Sequence, residues 1–287
     1  MRLALHINDY ASFGEPRQMA GALTRVARTA EDAGFARLSL TDHLWQISLI
    51  GEENEPMLEA YTALGFLAGQ TRKIELQTLV TAATYRAPGL LAKMVTTLDV
   101  LSGGRAWLGI GAGWNDEEAQ GLGLPFAPQR ERFARLEETL EICLQMWSES
   151  TSSYLGQHYQ LASTLNEPRP VSSPRVLVGG GGERTTLRIA AKYADAFNVF
   201  GGADAGQKIT RLLEHCDQLG RDHREIEKTA VLPVATEEAG WVDALMGELD
   251  RLHRTGFTTV YCALPAVASL TPLETLGTKV IPEISQW

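Results

Sequence analysis

Short apolar runs alternate with stretches of helical period along the whole chain. The runs fall at 3–7, 37–41, 74–80, 105–110, 175–179, 195–200, 228–234 and 258–263. Their length and apolar content suit short strands. Between them lie amphipathic segments. At 88–102, Leu90, Leu91, Met94, Val95, Leu98 and Leu101 recur at helical spacing behind Pro88, and Gly103-Gly104 ends the segment. At 131–148, Phe133, Leu136, Leu140, Leu144 and Trp147 define an inner face, and Arg132, Arg135, Glu138 and Glu141 read as a solvated outer face. Strand–helix alternation with parallel strands allows an open doubly wound sheet or a closed barrel. Eight repeats in 287 residues favour a closed α/β barrel, a single (β/α)8 TIM-barrel domain over 1–287. Insertions are expected near 42–56 and 149–174, the second irregular and punctuated by Pro168, Pro170 and Pro174.

Composition narrows the partners. The 26 basic and 35 acidic residues give a net charge of −9, which argues against nucleic acid or an anionic membrane surface and for a small-molecule substrate. Cys143, Cys216 and Cys262 are scattered in apolar runs and read as reduced core thiols of a cytoplasmic protein. The chain opens directly into a strand, so no signal peptide is expected, and no apolar run is long enough for a membrane span.

In barrels of this class the chemistry sits at the C-terminal ends of the strands. The strongest local signal there is the turn Gly179–Gly182, which leaves a strand and enters a helix. Glycines let backbone N–H groups converge on an anion, and a helix N-terminus favours it further. A flexible turn that binds nothing is the alternative. Gly109-x-Gly111-x-Gly113 does not complete a dinucleotide fingerprint, because Trp114 stands where a glycine is needed. Close packing explains it equally well, and Trp114 either walls a ring or belongs to the core. His43, preceded by Asp42, follows directly on a strand and suits proton transfer near neutrality, the alternative being a structural histidine. His6 is a weaker candidate; His158, His215, His223 and His253 read as surface. Glu59 either stabilises a helix start or faces the site. No HExxH, Cys/His cluster or GxSxG occurs, so no metal site or serine nucleophile is expected.

These residues, in this order, resemble the luciferase-like monooxygenase superfamily, and most of all its deazaflavin (coenzyme F420)-dependent oxidoreductase branch. The resemblance is carried by Thr41-Asp42-His43, MLEAYTALGFLAGQT (57–71), LVTAATYRAPGLLAKMVTTLDVLSGGRAWLGIGAGWNDEE (79–118), RFARLEE (132–138) and VLVGGGGERTTLRIAAKYADAFNVFG (176–201). It implies a cofactor ring beside Thr81, Ala82, Ala83, Gly111, Trp114 and Asn115, and a cofactor phosphate on Gly180, Gly181, Gly182, Glu183, Arg184 and Thr185. It implies that Asp42 and His43 border the reactive part of the ring, with His43 as acid/base while the ring carries the hydride. It also implies a non-prolyl cis peptide at a bulge after the third strand, expected at Ala82–Ala83. One departure bears on substrate: sugar-phosphate dehydrogenases of the branch carry a glutamate where this chain has Ala112. Arg86, Arg169, Arg175 and Arg184 are the expected receivers of the deazaflavin's carboxylate tail, the alternative being that they pair with Glu167, Glu183 or other acids. The alternative is an FMN-dependent two-component monooxygenase using oxygen and reduced flavin from a partner reductase. A homodimer is the candidate assembly. A non-catalytic flavin-binding barrel, or a hydrolase with two carboxylates, is less well matched: His43 is present, and only Asp42 stands as an acid at a strand end.

Overall fold

The computed structural model describes all of residues 1–287. Strands β1 (Arg2–Ile7), β2 (Arg37–Leu40), β3 (Glu75–Thr78), β4 (Thr81–Ala82) and β5 (Trp107–Gly111) are followed by a two-stranded antiparallel hairpin, β6 (Tyr154–Leu155) and β7 (Gln160–Leu161). Then come β8 (Arg175–Gly179), β9 (Ala196–Phe200), β10 (Glu227–Pro233) and β11 (Thr259–Ala263). The main sheet is parallel throughout, in the order β3-β2-β1-β11-β10-β9-β8-β5-β4. A parallel bridge between Leu76 of β3 and Ala106, just before β5, links β3 to the far side of the sheet, with the Leu76 N–H donating to the Arg105 carbonyl at 2.9 Å. The ring therefore closes. Because β3 and β4 are two parts of one interrupted stave, it has the eight staves expected from the apolar runs.

Helices α1 (Pro16–Asp32), α2 (Ala60–Ala68), α3 (Pro88–Ser102), α4 (Asp116–Gly121), α5 (Gln129–Trp147), α6 (Thr186–Tyr193), α7 (Ala205–Leu219) and α8 (Trp241–Arg254) occupy the connections, and short α9 (Thr271–Thr275) and α10 (Ile281–Ile284) follow β11. No helix is long and apolar enough to cross a membrane. Proline at the first turn starts α1 and α3, and Gly103, with φ +70°, ends α3 in the left-handed conformation that favours glycine. Alternate strand residues face outward: Leu3, Leu5, Ile7, Leu38, Leu40, Leu108, Ile110, Val176 and Val178 join the helices in the main core. The barrel interior holds a second, small cluster of Ala4, Trp107, Leu177, Ala196 and Tyr261.

The floor of the interior is charged but satisfied. Arg37 is fully buried, with its guanidinium 3.6 Å over the Trp107 ring. It donates twice to Glu75 (2.9 and 2.7 Å) and once to the Tyr261 hydroxyl (2.5 Å), and lies 3.4 Å from Glu227. Gln77 donates to the same hydroxyl at 2.8 Å. These groups fill the N-terminal end of the interior with paired charges.

The segment 149–174 is irregular over most of its length, as expected, and also contains the short β6–β7 hairpin. One sequence expectation is corrected here: the outer face of α5 is not merely solvated. Glu138 accepts the N–H groups of Gln157 (2.8 Å), His158 (3.0 Å) and Tyr159 (2.9 Å), and Glu141 accepts the Tyr154 and Tyr193 hydroxyls at 2.8 and 2.5 Å. The acids of α5 fasten the hairpin onto the helix.

Candidate functional site

Between β3 and β4 the stave breaks at Leu79–Val80, and this is the non-prolyl cis peptide. The expectation of Ala82–Ala83 is thereby corrected by three residues. β3 pairs with β2 as far as Leu40↔Thr78, with the Leu79 N–H still donating to the Leu40 carbonyl at 2.9 Å, and β4 pairs with β5 from Thr81↔Ile110, so the pairing partner changes across Leu79–Val80. Val80 turns toward three glycines on the neighbouring strands. A β-carbon on Gly179 would lie 2.7 Å from Val80 Cγ1, one on Gly111 3.1 Å from Val80 Cγ2, and one on Gly109 only 1.8 Å from the Thr78 carbonyl oxygen. Gly109-x-Gly111 is thus a close-packing feature that makes room for the bulge. Leu79, Val80 and Val231, none of them singled out in the sequence, cover the interior cluster as an apolar floor of the mouth.

Around this floor the expected residues take distinct positions. Thr81 is buried and bonded to Thr78 (2.9 Å) and the Tyr61 hydroxyl (3.0 Å). Ala82 lies against Gly113, whereas Ala83 packs in the main core behind the sheet. Trp114 is 56% exposed and stands edge-on to His43, ring centroids 5.5 Å apart. Asn115 caps α4 by accepting the Glu118 N–H at 3.2 Å.

Asp42 and His43 are adjacent in the chain but belong to separate networks. Both Asp42 oxygens are taken by Arg86, at 2.6 and 3.0 Å, and Arg86 also reaches Glu59 at 2.5 Å from a position over the Tyr61 ring. Glu59 meets both of its expectations: it accepts the N–H groups of Tyr61 and Thr62 at the start of α2 and borders this network. His43 pairs instead with Glu118, Nδ1 to Oε2 at 2.6 Å. Glu118 is fully buried and also accepts the Leu44 N–H and, at 2.5 Å, the Tyr85 hydroxyl. Burial alone would raise its carboxyl, but the donors His43, Tyr85 and Leu44 outweigh that and hold it below the usual range. Glu118 and Tyr85 were missed in the sequence. A further buried histidine, His6, bonds through Nδ1 to Ser39 Oγ at 3.0 Å, and burial lowers it to about 4.

The glycine turn lies on the far rim. Gly180 takes φ +126° and donates to the Asn198 carbonyl at 3.0 Å. The next six amides, Gly181 to Thr186, have no acceptor within the protein, and they lead into α6. The Glu183 side chain is turned to Lys208 (2.9 Å) and Arg211 (3.4 Å), leaving its amide in the turn, and Arg184 is exposed with no acidic partner. Three of the four arginines expected to receive a tail are placed elsewhere. Arg86 is held by Asp42 and Glu59, Arg169 donates to the Ser148 and Glu149 carbonyls, and Arg175 begins β8 at the opposite end of the barrel. Their closeness in sequence did not carry over into space.

A closed parallel barrel, a bulge that narrows its C-terminal end and a strand–glycine–helix turn on the rim define the architecture as an α/β barrel. Residues 7–242 match the luciferase-like monooxygenase family, and the chain belongs to it. Among curated relatives it is 30% identical over 226 residues to an F420-dependent glucose-6-phosphate dehydrogenase of Segniliparus rotundus. That match takes in 77% of this chain and 66% of the relative, so the chain spans just under two-thirds of the relative's length. Among solved structures, an F420-dependent secondary alcohol dehydrogenase in complex with an F420-acetone adduct superposes with a TM-score of 0.82 at 15% identity, over 99% of this chain and 98% of that one. The oxygenating constituent of 3,6-diketocamphane monooxygenase from Pseudomonas putida, in complex with FMN, gives 0.77 at 16% identity, over 99% and 98%. At these identities the structural likeness is one of fold.

Proposed function

We propose that this chain is a coenzyme F420-dependent oxidoreductase that exchanges a hydride with a small organic substrate. The observation that carries the reading is a histidine backed by a buried carboxylate, His43 on Glu118, at a mouth whose rim also offers six unclaimed backbone amides. The apolar floor of Leu79, Val80 and Val231 fits the face of a planar ring, and the amides of Gly181 to Thr186 fit a phosphate. A bound deazaflavin supplies the hydride chemistry. His43 takes or gives the substrate's proton at the ring nitrogen that Glu118 does not hold. Trp114 shields that histidine from one side, and the Arg86–Asp42 pair fixes the strand end that carries it. The name of the Segniliparus relative supports the cofactor. Ala112, with its one-carbon side chain, speaks against a sugar phosphate as substrate.

The commitment of Arg86 and Arg169 to other partners, with Arg175 at the opposite end of the barrel, favours a second reading, an FMN-dependent monooxygenase supplied by a reductase, because it removes most of the cations expected to meet a polyanionic tail. Titrating the protein with each cofactor separately, at matched salt, tests the choice. Saturable quenching of deazaflavin fluorescence, with tighter binding than FMN, is the expected result. Tighter FMN binding with no saturable deazaflavin signal overturns it in favour of the monooxygenase.

A further inference from the structure

We propose that Glu118 is a positioning residue that fixes the tautomer of His43, holding a proton on Nδ1 so that Nε2 is presented to the substrate as the proton acceptor. The inference rests on the reading of His43 as the proton-transfer group and adds the group that sets its direction.

Several observations converge on it. Glu118 is the third of three consecutive acids on α4, and the only one of them buried; Asp116 and Glu117 are exposed. Its backbone N–H is fixed by Asn115, which anchors the first turn. Oε1 accepts the Leu44 N–H, one residue after His43, so the carboxylate holds the backbone as well as the ring. Oε2 faces His43 Nδ1 at 2.6 Å and the Tyr85 hydroxyl at 2.5 Å. A carboxylate has only acceptors to offer. With the hydroxyl proton of Tyr85 also directed at Oε2, the hydrogen between His43 and Glu118 belongs to Nδ1, and Nε2 keeps its lone pair. The other carboxylate near in sequence, Asp42, is unable to compete because both of its oxygens are on Arg86.

The chemistry follows. When His43 takes a proton from a substrate hydroxyl at Nε2, it becomes imidazolium, and the negative charge of Glu118 stabilises that state at close range. In the reverse direction the same pair returns the proton through Nε2. No other proton moves, and Glu118 stays ionised throughout. Tyr85 shares Oε2 and keeps the carboxylate oriented.

The test uses the full-length protein labelled with ¹⁵N-histidine, without cofactor, so its outcome is independent of which cofactor binds. The His43 resonances are identified by their loss in His43→Gln. In the wild type, at a pH high enough for the ring to be neutral, Nδ1 is expected at the shift of a protonated ring nitrogen and Nε2 at that of an unprotonated one. Glu118→Gln turns an amide donor toward Nδ1, so the two signals exchange identity. Glu118→Asp keeps the charge and restores the wild-type pattern. With an identified substrate, Glu118→Gln lowers kcat on the order of 10²–10⁴-fold with KM little changed, and Glu118→Asp recovers part of it. A wild-type His43 protonated on Nε2 overturns the proposal even if no variant folds. An unchanged tautomer in Glu118→Gln overturns it as well and leaves Glu118 a staple between α4 and the loop after β2.

Discussion

The two ends of the barrel solve opposite problems with similar residue types. At the N-terminal end a buried arginine is surrounded by groups that answer it: Glu75, Glu227, the Tyr261 hydroxyl and the face of Trp107. At the C-terminal end, charges are paired around the mouth, yet the rim keeps six amides and Arg184 without partners, and the interior is narrowed by Val80 against glycines. A saturated end adds rigidity and offers nothing to a ligand. An end with unspent donors has a use for one. This division is what the barrel architecture leads one to expect of a stabilising bottom and a chemical top.

The comparison is broken most severely by Arg37→Ala. Removing the cation strips Glu75 of its two bonds, takes one partner each from Glu227 (which keeps Arg2 and Thr259) and the Tyr261 hydroxyl (which keeps Gln77), and opens a void under Trp107, at a cost of about 3–5 kcal/mol. Urea denaturation reads the loss, and cofactor affinity of the folded protein stays as it was. A stability change below about 1 kcal/mol would show the plug to be ornamental.

His6 sharpens the other end. Burial, opposed by the bond to Ser39, holds it down to about 4 against an ordinary value of 6.5. Between those pH values the unfolded chain binds a proton that the native chain does not. Stability is therefore full above about pH 6.5 and falls by up to about 3 kcal/mol as pH drops toward 4. His6→Gln removes that part of the acid slope in denaturation measured as a function of pH. A slope identical to the wild type would place the titration on other groups.

Gly181→Asp is the counterpart of Arg37→Ala. A β-carbon there meets only Lys208 Cε, at 3.8 Å, so the fold accommodates it. The new carboxylate points at the anion turn, and affinity for the cofactor drops by about tenfold or more, roughly 1.4 kcal/mol. Equal affinity by titration, with an unaltered melting temperature, would move the phosphate away from this turn.

The smallest effect is expected at Glu138→Gln. The hairpin turn loses an acceptor for the N–H groups of Gln157, His158 and Tyr159, worth about 1 kcal/mol. Hydrogen exchange of those three amides accelerates while the barrel amides keep their protection.

All eight staves were legible as short apolar-rich runs, because their outward-facing residues pack against the helices, even where Arg37, Ser39 or Gln77 interrupts the run. The glycine turn and His43 were legible because they stand next to strand ends. The rest depended on three dimensions. Residues 74–80 read as one strand, and only the change of pairing partner at Thr78 and Thr81 places the bulge at Leu79–Val80; in the sequence its trace is the set of glycines at 109, 111 and 179. Glu118 sits three residues after the Asn115 cap, a spacing that suggests a carboxylate turned back to its own helix start. The structure turns it to His43 instead, and nothing in three consecutive acids says which faces inward. Arg169, Arg175 and Arg184 were grouped by sequence, whereas strand direction puts Arg175 at one end of β8 and the glycine turn at the other.

The claim that a cofactor phosphate sits on the glycine turn, with its ring beside His43, is tested most directly by following backbone amide and His43 ring resonances during a titration with oxidised coenzyme F420. The expected result is saturable shifts confined to Gly181–Thr186, the Leu79–Ala82 bulge and His43, all with one dissociation constant. Saturable binding that leaves the amides of 181–186 unmoved would contradict it.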